Sequence, residues 1–154
     1  MVTVLLIVHG LVAVALLGAI THQMLATWVP AGVRPSSFFG RFRAVSPAAF
    51  ANAVVALYLV SAALGSVIYL DFRVDVRPML ERDGYWPAIG FFDLKEHFIS
   101  VGLGLLPAYW IYWRRPLAGE SGRTRAALTA IFAFIVWWGF LVGHVMNNIK
   151  GFGS

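Results

Sequence analysis

The side chains of this chain best equipped for chemistry are its four histidines, His9, His22, His97 and His144, each within or at the end of a long apolar run. An imidazole can ligate haem iron or another metal, relay a proton, or hydrogen-bond a neighbouring helix. Inside a bilayer an ionisable group is costly and ordinarily faces a bundle interior or a cavity, so it marks a functional-site hypothesis by default. With helices rising about 1.5 Å per residue, His9 lies roughly 10 Å into the first apolar run, counted from its start at Val2. His97 falls near the start of the third run and His144 one to two turns before the end of the fourth. Three helices therefore present an imidazole at a similar level near one face. His22, in the stretch THQM, belongs near the opposite face.

His9, His97 and His144 are thus the expected cofactor-binding residues. Two of them would serve as axial ligands of a single b-type haem, His144 pairing with His9 or with His97, and the third would hydrogen-bond a propionate or a quinone. A non-haem copper, zinc or iron site built from the same imidazoles is the competing chemistry, with Glu96 available as a fourth ligand or proton acceptor. A proton relay, or plain hydrogen bonding between helices, are the further alternatives. A second haem is not expected. His9 and His22 are thirteen residues apart, some 140° around a straight helix, and no other histidine lies near the inner face. Gly143 and Gly104 would give a flat macrocycle room.

Several polar neighbours have expected roles of their own. Asn147 and Asn148 follow His144 by three and four residues, as hydrogen-bond partners of its ring or as the end of the helix. In FFDLKEHF, Asp93 has the form of an N-cap with Glu96 at the third helical position. His22, Gln23 and Asn52 make an inner polar cluster that interhelical hydrogen bonding explains. No catalytic residue is assigned, because no nucleophile elbow, phosphate loop, H-E-x-x-H or nucleic-acid module occurs. With no cysteine there are no disulfides and no thiolate ligands.

The elements that must position these groups follow from composition. The chain is 60% hydrophobic and 12% charged, with mean hydropathy +0.77; a soluble protein has about 25% charged residues. Four segments reach the roughly 20 apolar residues that a helix needs to cross a bilayer: Val2 to Trp28, Ala48 to Leu70, Phe91 to Trp113 and Ala126 to Ile149. The expectation is an all-α, integral membrane four-helix bundle, one transmembrane domain over 1–154, with no cleaved signal peptide and no internal repeat. Ser61 with Gly65, and Gly139 with Gly143, are small-residue pairs at four-residue spacing that permit close helix approach.

Charge sets the expected orientation. Arg34, Arg41 and Arg43 lie between the first two spans, and Arg114, Arg115, Arg123 and Arg125, against Glu120 alone, between the last two. The positive-inside rule makes 29–47 and 114–125 cytoplasmic loops and puts both termini and a loop at 71–90 outside, in a bacterial inner membrane. The net charge of +5 then reflects topology rather than nucleic-acid binding.

Through VHG at 8–10, EHF at 96–98 and GHV at 143–145, the chain resembles small respiratory-chain membrane proteins, namely four-helix b-type cytochromes and membrane anchor subunits. EHFISVGLGLLP at 96–107, with the basic loop and RTRAALTAIFAFIVWWG after it, is similar to small multi-span proteins that assist cytochrome oxidase assembly. The first resemblance implies a redox subunit or partner of a respiratory complex, holding one haem b near the outer face and exchanging electrons with quinol, with the bilayer and other membrane subunits as partners. The second implies a noncatalytic assembly or scaffold subunit. A membrane enzyme with a histidine-ligated metal stands beside both.

Overall fold

A computed structural model of the chain describes residues 2–28, 36–37, 41, 47–114 and 120–149. The basic residues Arg34, Arg43 and Arg115, on which the expected orientation partly rests, lie outside the described residues. Among the described residues five α-helices form: α1 (Val2–Trp28), α2 (Pro47–Asp71), α3 (Arg77–Arg82), α4 (Trp86–Arg114) and α5 (Glu120–Ile149), with a π-helical turn, Phe72–Val76, joining α2 to α3. The protein is an all-α bundle, without strands among the described residues. The helical stretches Val2–Thr27, Ala49–Arg82 and Gly122–Ile149 are long and apolar enough to cross a membrane. α4 matches them in length but carries Asp93, Lys95 and Glu96 in its first half.

The helices pack as a ring in which α1 and α4 each touch both α2 and α5. Side-chain contacts fix the antiparallel register. The Tyr58 hydroxyl on α2 donates to the Ile99 carbonyl on α4 at 2.9 Å, and Trp110 Nε1 on α4 donates to Asn52 Oδ1 on α2 at 2.9 Å. Trp113 Nε1 bonds Thr129 Oγ1 at 3.0 Å, and Trp137 Nε1 bonds Thr21 Oγ1 at 3.1 Å. Both ends of the described chain therefore lie at the end of the bundle that carries α3. The core occupies the other half, where the buried rings of Tyr58, Phe132 and Tyr109 pack at centroid distances of 5.5 and 4.9 Å. Val4, Ile7, Leu11 and Val14 of α1 are exposed, as expected of a face solvated by lipid rather than water.

The segment 71–90, expected as a loop, is mostly helical. Its apolar residues explain why: Phe72, Val76 and Leu80 recur at four-residue spacing and are buried in a second core cluster with Ile89, Phe92, Val142 and Met146. The charged residues between them face outward or pair. Arg77 bonds Glu81 at 2.9 Å and reaches Asp93 on α4 at 3.1 Å. Pro78 cannot donate to the carbonyl four residues before it and its ring crowds that carbonyl. The helix widens just upstream, with the Arg77 N–H bonding Phe72 O instead. Asp93 is consequently not an N-cap: α4 begins at Trp86, so Asp93 sits inside the helix and takes the Arg77 guanidinium. In the same way α5 begins at Glu120 rather than Ala126.

A tight turn reverses the chain between α3 and α4. Gly84 has φ 77°, with Gly84 N bonded to Glu81 O and Tyr85 N to Leu80 O, the Schellman pattern that places a left-handed residue just past the helix end. An L side chain in that conformation costs about 1–2 kcal/mol. Gly84→Ala is expected to destabilise the detergent-solubilised protein by about that much, and Gly84→Asn by less, as read from paired thermal unfolding curves.

Candidate functional site

Between the four long helices, in the half of the bundle nearest α3, lies a cavity of about 340 Å³. Each helix contributes a polar group to it: His9 from α1, Tyr58 and Ser61 from α2, Lys95 and Glu96 from α4, and His144 and Asn147 from α5. Apart from Ser66, Tyr69 and Ser100, the remaining wall is apolar, with Leu16, Phe72, Phe92, Val136 and Met146 among its members.

Small residues create the room. The His9 ring lies over Gly65 of α2, where a Cβ would stand 3.4 Å from its Cε1. At Gly139 of α5 a Cβ would meet Ile99 at 3.4 Å and the stem of Lys95 at 4.0 Å. The Ser61–Gly65 and Gly139–Gly143 pairs thus do more than bring backbones together; they make space for polar side chains of the facing helices. Gly143 borders the cavity with nothing within 4 Å of where its Cβ would be. Gly104 is exposed and does not border it.

Part of the hydrogen-bonding capacity of the cavity is used within and between the helices that line it. The Ser66 and Ser100 hydroxyls donate to Ala62 O and Glu96 O of their own helices, each at 2.9 Å, and the Tyr58 hydrogen goes to Ile99 O. By contrast, His9 Nδ1 is shut off from solvent with the Ser61 carbonyl nearby but no hydrogen bond of full geometry. Lys95 Nζ pairs with Glu96 Oε1 at 2.8 Å and rides 4.1 Å above the centre of the Phe92 ring. Lys95, Glu96 and His9 border the same cavity. Buried polar groups ordinarily have partners, so an under-satisfied imidazole beside an ion pair makes a polar pole prepared for one.

Of the three imidazoles expected at this level, the structure brings two to one cavity and leaves the third outside. His9 and His144 both border it, His144 from the rim, where its ring is exposed and lies parallel to Phe140 at 6.3 Å. His97 is exposed on the outside of α4, its Nδ1 2.7 Å from Asp93 O. Its neighbours Lys95 and Glu96 point inward in its place. Among the described residues no group of three or more His, Cys, Asp or Glu side chains is gathered as a metal would require.

The other expected residues are placed as follows. Asn148 gives its amide to the His144 backbone carbonyl at 2.8 Å, not to the ring, whereas Asn147 lines the cavity. At the far end of the bundle His22 stacks on Phe50 at 4.1 Å, Gln23 is fully buried, and Asn52 bonds Trp110.

Sequence reasoning passed over Lys95, Tyr58 and Gly102. A Cβ on Gly102 would collide with the Tyr58 hydroxyl. The signal was present in α4: Phe92, Lys95, Ile99, Gly102, Leu106, Tyr109 and Trp113 recur at alternating three- and four-residue spacing, the pattern of a helix seam. Lys95 lies on that seam, and His97 lies about 200° from it.

Comparison with protein-family models, with curated proteins and with solved structures finds no match for this chain.

Proposed function

We propose that this chain is a membrane redox protein, a subunit or partner of a respiratory electron-transfer complex in a bacterial inner membrane, and that its cavity takes the head group of a quinol. The proposal places the termini and the Gly84 turn on the outer side. One observation carries it: a cavity between the long helices with a largely apolar wall, bordered by His9 and the Lys95–Glu96 pair. A quinol has the matching form, an uncharged ring with hydroxyls that both donate and accept, on an apolar tail. Its oxidation gives up two electrons, which would pass to a redox centre of the partner complex, and two protons, for which His9 and Glu96 are bases lining the cavity. Size supports a one-ring head. Ligand pockets span roughly 300–1,000 Å³, and about 340 Å³ is at the small end.

Titration of the purified protein with a short-tailed benzoquinone is expected to show saturable binding near one per chain. Partition that rises linearly, as into empty detergent micelles, would end this reading.

A haem reading is favoured by a different observation, that His9 and His144 border the same cavity from adjacent helices. It expects a reduced-minus-oxidised spectrum with a Soret shift that survives His97→Ala and is lost in His9→Ala. Protein without haem by pyridine extraction would dispose of it.

A further inference from the structure

We infer that Glu96 sets the charge class of what the cavity admits, so that it selects uncharged head groups and turns away carboxylate-bearing amphiphiles such as fatty acids. This inference rests on the cavity being a site for a lipid-phase ligand. Residues adjacent in a helix point about 100° apart, so the 2.8 Å contact of Lys95 with Glu96 is not a by-product of helix geometry. Lys95 is bent toward the cavity by its surroundings: its stem crosses Gly139, its ammonium lies over Phe92, and its side chain is only 15% exposed. Glu96, at 37%, closes over it.

The other walls bring no lysine, arginine or carboxylate. α1 contributes His9, α2 contributes Tyr58, Ser61 and Ser66, and α5 contributes His144 and Asn147, so among the described residues Lys95 is the one ammonium and Glu96 the one carboxylate bordering the cavity. As a pair they are neutral overall. An anionic head group drawn to Lys95 would have to displace or abut the Glu96 carboxylate, and like charges meeting in a low-dielectric site are strongly unfavourable. An uncharged head incurs no such repulsion and can still hydrogen-bond both residues and His9. Selectivity here comes from a repulsive group placed beside an attractive one. Anionic amphiphiles such as free fatty acids partition into bilayers, and a site holding Lys95 alone would attract them.

The test uses the full chain in detergent and three probes: a short-tailed benzoquinone, a fluorescent fatty acid, and the methyl ester of that fatty acid. Wild type is expected to bind the quinone, and to bind the ester at least as well as the acid. In Glu96→Gln, affinity for the acid should rise about tenfold or more relative to affinity for its methyl ester, the ester reporting any general change in the site. Glu96→Asp should behave as wild type, and Lys95→Met with Glu96→Gln should abolish the gain. Should Glu96→Gln fail to fold, Lys95→Gln gives the converse reading, weaker binding of the acid and stronger binding of an alkylamine of the same length. Wild type that binds acid more tightly than ester, or a Glu96→Gln protein with no gain for the acid, overturns the inference. Absence of quinone binding together with an intact acid switch would sink the quinol reading and leave the charge selection standing.

Discussion

Gly102→Ala is expected to destabilise the protein by about 2–6 kcal/mol, summing an overpacking cost of about 1–3 kcal/mol and the loss of a buried hydrogen bond of about 1–3 kcal/mol. The Tyr58 side chain is 1% exposed and lies across Gly102 so closely that a methyl group there would occupy the position of its hydroxyl. Tyr58 must then leave both its pocket and its bond to Ile99 O. Phe132, which packs edge-on to Tyr58, moves with it. Gly104→Ala, two residues away, meets nothing within 4 Å and should be near neutral. Thermal unfolding in one detergent compares the two directly. A double-mutant cycle with Tyr58→Ala adds the decisive check: the two costs should be far from additive, because each mutation removes the same contact. Additive costs would mean that Gly102 matters for some reason other than Tyr58.

His9→Phe should weaken binding of a short-tailed benzoquinone by about 10–100-fold, the loss corresponding to one or two hydrogen bonds near charged groups at about 1.5–3 kcal/mol. Stability should hold or rise slightly, since the change replaces a buried nitrogen lacking a well-formed bond with an apolar ring of similar size. The same substitution at His97 is the control. Its ring stands outside the bundle with Nδ1 already on Asp93 O, so His97→Phe should leave binding unchanged. His144→Phe, at the rim, should fall between the two. Equal effects at His9 and His97 would show that the outer face of α4, not the cavity, holds the ligand.

Much of the fold was legible because hydropathy alone separates the apolar runs. The first helix was read with its observed bounds, Val2–Trp28. The other three apolar runs extend into further helix: after α2 the helical stretch continues through the π turn and α3 to Arg82, α4 starts at Trp86 and α5 at Glu120. A hydropathy reading stops where charges begin, but the helix continues wherever one face can still be buried. Phe72, Val76 and Leu80 provide that face amid five charged neighbours, Arg73, Asp75, Arg77, Glu81 and Arg82. Asp93 had the sequence form of a cap, yet capping needs a helix end, and the burial of Ile89 and Phe92 had already carried the helix past it.

For the candidate site, depth along each helix was readable and direction only partly so. Leu6, His9, Ala13, Leu16, Ile20 and Gln23 form an alternating three-and-four stripe on α1, and Tyr58, Ser61, Gly65, Ile68 and Phe72 form another on α2. Such spacing fixes which side chains share one helix face, and it separates His9 and Lys95, on their stripes, from His97, off its own. The amino-acid order therefore determined the helices, their apolar character and the inward face of each. Only the tertiary structure decided that His9 would meet Lys95 and Glu96 around one cavity. The reason is that a periodic stripe leaves a helix free to slide along its neighbour; that offset is settled where a large side chain of one helix finds a glycine of the next, His9 over Gly65 and Tyr58 over Gly102.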